Sequence, residues 1–156
     1  MSSPEARLKA LGIELPPPPS PAANYVTATR SGRLVFLAGQ GPVAGGEVVW
    51  RGRVGVELTE EQGYQAARLT ILNSLAILRQ TLGSLDEVTR ILKLLAWVRC
   101  AEGFENPHRV VNGASDLLVE IFGERGRHAR SAVTARELPL GIAVEIELVA
   151  EAATEA

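Results

Sequence analysis

An arginine and two glutamates interrupt segments that otherwise read as apolar strands. In the run from Arg127 to Ala150, RHARSAVTARELPLGIAVEIELVA, Arg130 lies two residues beyond His128, and Glu145 and Glu147 alternate with Val144, Ile146 and Leu148. Side chains alternate along a strand with period two, so the two glutamates share one face and His128 shares a face with Arg130. Charges are costly to bury without a partner or a ligand. A planar guanidinium grips a carboxylate through two parallel N–H donors, and a fixed carboxylate can orient water and take its proton. A plainer reading fits the same residues: Arg130 in an interface salt bridge with Glu145 or Glu147, or one of those glutamates paired with Arg136 across a hairpin. On residue types and spacing alone, both readings stand.

Other reactive groups are few. Cys100 is the single cysteine, which excludes an internal disulfide and a cysteine-based zinc cluster. Two histidines without a partnering motif argue against a metal site, and neither G-x-G-x-x-G nor G-x-x-x-x-G-K-[ST] occurs, so no cofactor is expected. His128 could titrate near neutrality or stand as an ordinary loop histidine. The net charge of −2 gives no basic field for nucleic acid, and the cluster Arg125, Arg127, Arg130 has no interleaved aromatic residues, so no nucleic-acid partner is expected. No apolar run is long enough to cross a bilayer and the N-terminus does not read as a signal, which points to a cytoplasmic protein without a membrane partner.

These residues must be positioned by a single domain, since 156 residues form one core. Residues 1–23 read as an N-terminal arm: a short helix within Ser3 to Leu11, capped by Ser3 with Pro4 at its first position, then the proline-rich LPPPPSPAAN. Residues 24–153 read as the domain. It opens with a hairpin, YVTATR and RLVFLAG around Ser31-Gly32, followed by a glycine-rich loop in which Glu47 to Trp50 could add a short strand. Thr59 and Gln62 form a capping box, and Tyr64, Ala67, Ile71, Leu75, Leu78 and Leu82 make one apolar stripe ended by Gly83. Thr89 to Cys100 suits a strand buried on both faces, with a helix as the competing reading. Asn106-Pro107 starts a second helix with Val110, Ala114, Leu117 and Ile121 as its stripe, and strands follow at Ala129 to Arg136 and Ala143 to Ala150, joined by a hairpin connection around Pro139 and Gly141. The order gives an α+β fold with a mixed sheet and both long helices on one face. Val35, Leu37, Leu94, Ala96, Val133 and Leu148 leave apolar residues on either parity, so the uncovered face is expected to pack against copies of the same chain.

The combination FLAGQGPV (Phe36 to Val43), the capped central helix, Phe104 and Asn112, and ARSAV followed by LPLG and VEIELVA resembles the Rid family of YjgF-type reactive intermediate deaminases, once labelled L-PSP endoribonucleases. The resemblance spans about Tyr25 to Ala150 and implies a chorismate-mutase-like homotrimer with sites in clefts between subunits. It implies that Arg130 clamps the carboxylate of a small 2-imino or 2-keto acid, that Glu145 holds the water attacking the imine carbon, and that Tyr25, Gly39, Asn112 and Ala132 line the substrate pocket. Departures mark a divergent branch: His128 precedes Ala129-Arg130 where the family usually has proline, Ala38 stands where serine or threonine is common, and Ala132 where some members carry cysteine. Two other functions go with such a branch: a carboxylate-binding trimer without turnover, and an endoribonuclease.

Overall fold

A computed structural model describes residues 2–155. The short helix α1 (Pro4–Ala10) is capped by the Ser3 hydroxyl, which accepts from the Ala6 N–H. It is docked on the body of the domain, with Leu8 in the core at 2% exposure and Glu5 held by Arg79 through two hydrogen bonds of 2.9 and 2.6 Å. Strands β1 (Ala28–Ser31) and β2 (Leu34–Gln40) form the expected hairpin, with Ser31 opposite Leu34, so the turn residues are Gly32 and Arg33, one place later than Ser31-Gly32. Gly32 takes the left-handed conformation such a turn requires. Strands β3 (Val43–Ala44) and β4 (Glu47–Val48) make a two-residue ladder in the glycine-rich loop.

Helix α2 (Glu60–Leu82) begins with both bonds of the Thr59–Gln62 capping box and ends on left-handed Gly83. Helix α3 (Pro107–Phe122) starts as its proline predicts, although the Asn106 side chain makes no capping bond. Gly113 lets the two helices touch, because a Cβ there would collide with the Tyr64 carbonyl on α2. Strands β5 (Val88–Arg99), β6 (Ala129–Ala135) and β7 (Val144–Ala152) complete a mixed sheet of order β1-β2-β7-β5-β6. Among the described residues no helix is long and apolar enough to cross a membrane.

The sheet corrects one expectation directly. β6 and β7 are not a hairpin: β5 lies between them, parallel to β6 and antiparallel to β7. The α3 crossover carries the chain to the outer side of β5, and residues 136–143 then pass over the end of β5, where the Arg99 N–H donates to the Ala143 carbonyl at 2.8 Å. That connection has to cross roughly 10 Å, two strand spacings, which eight residues do easily. With β5 intervening, Arg136 does not pair with Glu145 or Glu147; the nearby ion pair is Arg99 with Glu137.

β5 is also not buried on both faces. Ile91, Leu94, Ala96 and Val98 are fully buried under the helices, whereas Leu95 and Trp97 on the other side are only partly covered. α2 and α3 both lie on the first face, and Val35, Leu37, Leu94, Ala96 and Leu148 all point toward them. Val133 belongs to the opposite face with Phe36, Leu95 and Trp97, and both Phe36 and Val133 are 43% exposed. One sheet thus presents a finished face and a bare apolar one.

Candidate active site

The cross-strand register decides which functional side chains share a face. Arg130 lies opposite Leu94, which is buried under the helices, so Arg130 points to the helix side at the β6 edge. There α3 receives it. Nη1 donates to Asn112 Oδ1 at 2.9 Å and to Ser115 Oγ at 3.0 Å, and Nη2 donates to the His108 carbonyl at 3.0 Å. A guanidinium has five N–H donors. Three are used, leaving Nε–H and one Nη2–H without an acceptor among the described residues, a pair that a single carboxylate can bridge. No carboxylate forms a salt bridge with Arg130 among the described residues, so its pairing with Glu145 or Glu147 is absent within the chain. Its charge is half-buried, and burial pulls the guanidinium pKa below its ordinary value while Asp116 on α3 partly opposes that.

Ser115 continues the contact inward. Its hydroxyl lies 2.9 Å from His128 Nε2, and His128 Nδ1 lies 2.6 Å from the Gly126 carbonyl. Burial lowers the His128 pKa and the Arg130 charge lowers it further, although the Gly126 bond works the other way. Ala132, the next residue on the Arg130 face, sits opposite Ala96 and is partly buried. Beyond it a cleft of about 610 Å³ runs along the same edge between Thr134, Arg136 and Phe104.

Glu145 lies on the other face. It stands opposite Trp97 on β5, and Trp97 stands opposite Val133 on β6, placing all three on the bare side of the sheet. Its carboxylate folds over β2 at an irregularity between Leu37 and Gln40, where Gly39 has no side chain to obstruct it; a Cβ on Gly39 would collide with Glu145 Oε1. The far end of β2 is pinned from the other side by Asn73, buried on α2, whose amide donates to the Gly41 and Val43 carbonyls at 3.0 and 2.8 Å. Neither Glu145 nor Glu147 has a cationic partner within 4 Å among the described residues. Burial, and then the neighbouring charge of Glu147, push the Glu145 carboxyl above the usual carboxylate range.

The predicted residues therefore fall into two groups. Arg130, Asn112 and Ala132 gather on the helix side, and Glu145 with Gly39 on the bare side. Tyr25 joins neither by a hydrogen bond: it precedes β1 rather than starting it, is 43% exposed, and its hydroxyl accepts from the Ala22 N–H of the arm. Sequence reading passed over Ser115 and the His108 carbonyl. Ser115 had a signal, since it follows Asn112 by three residues on a helix and must share its face; a backbone carbonyl gives none. Cys100 is buried, with its thiol pKa raised by that burial, and no group of His, Cys, Asp and Glu able to hold a metal occurs among the described residues.

The model of the family described as "YjgF/chorismate_mutase-like, putative endoribonuclease" matches residues 5–152. The chain belongs to the YjgF/chorismate-mutase-like family. Protein TCP17 of Trypanosoma cruzi is 41% identical over 147 residues, covering 94% of this chain and 92% of that protein. A crystal structure titled as a "putative endoribonuclease" from Shewanella oneidensis superposes with a TM-score of 0.93 at 36% identity, covering 96% of this chain and 99% of that one. E. coli TdcF, solved with bound serine, superposes with a TM-score of 0.63 at 25% identity, covering 86% of this chain and 92% of that one. The family match thus takes in nearly the whole chain, with α1 included from its second residue onward.

Proposed function

We propose that this protein is a cytoplasmic hydrolase of small 2-imino acids, releasing the 2-keto acid and ammonia, with its sites in clefts between the copies of a homotrimer. The observation that carries the reading is the state of Arg130: a half-buried cation held by three neutral acceptors, with two donors left and no anionic partner among the described residues. Such a group is built to receive an anion from outside the chain. The bound serine of TdcF, a small carboxylate in a relative, is in keeping with it.

The sheet stands between Arg130 and Glu145, so the two cannot face one small molecule from the same chain. Arg130 of one copy and Glu145 of its neighbour can, once the bare apolar face packs on the β6 edge of the next copy. The substrate carboxylate then bridges Nε–H and Nη2–H of Arg130. Ionised Glu145 takes a proton from water as the water oxygen bonds to the imine carbon. The C=N electron pair goes to nitrogen, which takes that proton from Glu145 to give the carbinolamine; Glu145 then moves the hydroxyl proton to the same nitrogen, the C–N pair leaves with it as ammonia, and the C=O of the keto acid forms. Every step uses protein side chains and water.

The test is ammonia release from freshly generated iminopropanoate and iminobutanoate by the wild type, Arg130→Ala and Glu145→Gln. A wild-type rate well above buffer that collapses in both variants supports the reading. A wild type no faster than buffer overturns it; keto acid binding in that protein would leave a carboxylate-binding trimer, and RNA cleavage surviving Arg130→Ala would point to the nuclease.

A further inference from the structure

We propose that Ser115 and His128 are positioning residues for Arg130: a chain of hydrogen bonds from the Gly126 carbonyl through imidazole and hydroxyl fixes the plane in which the guanidinium presents its free N–H pair. This rests on the reading of Arg130 as a carboxylate clamp.

The direction of each bond follows from the atoms. The Gly126 carbonyl can only accept, so His128 Nδ1, 2.6 Å away, carries the ring hydrogen. In the neutral imidazole Nε2 is then an acceptor, and the Ser115 hydroxyl 2.9 Å away donates to it. With its hydrogen committed to His128, Ser115 turns its lone pairs to Arg130 Nη1 at 3.0 Å. A hydroxyl free to rotate would spend part of its time with its hydrogen facing the guanidinium, where it supports nothing. Burial and the adjacent Arg130 charge both favour the neutral ring that this arrangement needs. The anchor is rigid, because Gly126 is seated directly against α3: a Cβ there would collide with the Leu118 carbonyl. Without Ser115, Nη1 would keep only Asn112, an exposed side chain. Asp116, the nearest acidic side chain on α3, accepts from the Tyr64 hydroxyl at 2.9 Å and does not hold the guanidinium.

Two measurements on Ser115→Ala, Ser115→Thr and His128→Gln test this, each variant first matched to the wild type in thermal stability and assembly. The first is ¹⁵N NMR of the arginine side chains, with Arg130 assigned by its absence in Arg130→Ala, reading rotation of the guanidinium. The second is the affinity for pyruvate by calorimetry beside kcat and KM on iminopropanoate. Slow rotation in the wild type and in Ser115→Thr, fast rotation in Ser115→Ala and His128→Gln, and a Kd and KM raised about tenfold in Ser115→Ala with kcat within about twofold uphold the proposal. Rotation in Ser115→Ala and His128→Gln as slow as in the wild type overturns it, whether or not pyruvate binds. Faster rotation in a protein whose wild type binds no keto acid upholds the positioning and removes the clamp reading, so the two ideas fail separately.

Discussion

The two faces of the sheet pose opposite problems, one built around a cation and the other around a pair of carboxylates. On the helix side a cation is held within the chain, and three of its five donors are satisfied by α3. On the bare side, which also carries the exposed Phe36 and Val133, two carboxylates stand next to each other with no cationic partner within 4 Å among the described residues. The first arrangement is finished except for an anion; in the second, burial and then the Glu147 charge raise the pKa of Glu145, and apolar surface is left in water. A half-site of each kind on one chain makes sense if each completes the other's in a neighbouring copy. One fold hosts many chemistries, so the proposed pairing of copies rests on the placement of charges on opposite faces and not on the fold.

The strongest way to break this comparison is to keep the copies apart. Phe36→Asp with Val133→Asp is expected to yield a monomer by light scattering and to abolish imine hydrolysis together; a fully active monomer would end the two-wall account. Next, Glu145→Gln is expected to lower turnover by about 10²–10⁴-fold, the usual share of a general base, while pyruvate binding is retained. The wild-type rate should fall with acid below a pKa higher than that of an ordinary glutamate, because the base must be ionised and its burial favours the proton. For stability the sign is the reverse of the common carboxylate case. The folded chain holds the Glu145 proton more tightly than the unfolded chain, so stability is lost as pH rises from the ordinary carboxylate value through the raised one. Glu145→Gln should therefore melt higher than the wild type at pH 7 and converge with it in strong acid.

Arg130→Ala is expected to weaken keto acid binding by roughly 10²-fold, as two charge-assisted bonds imply, with little change in melting temperature since the partners it leaves are partly solvated. Gly39→Ala sharpens the opposite wall: displacing the Glu145 carboxylate should cut turnover about tenfold or more while circular dichroism and assembly stay native. The smallest effect on activity is predicted for Leu8→Ala, which should cost about 2–4 kcal/mol of stability by denaturant titration, through a cavity under α1, and leave KM unchanged.

Local rules reached far along this chain. The Thr59 capping box, the Ser3 cap with Pro4, the left-handed Gly83 and the stripes of α2 and α3 depend on contacts within a few residues, so the sequence determines them by itself. The charged residues of the last two strands were equally visible as candidates. Strand pairing was not: whether β6 and β7 touch depends on where the α3 crossover lays β6 against β5, a contact between residues far apart in the chain. The same placement decides that Arg130 faces Asn112, Ser115 and the His108 carbonyl while Glu145 rests over Gly39 on the other side. Period-two alternation tells which residues of one strand share a face, but only the cross-strand register, set by tertiary packing, tells which face that is.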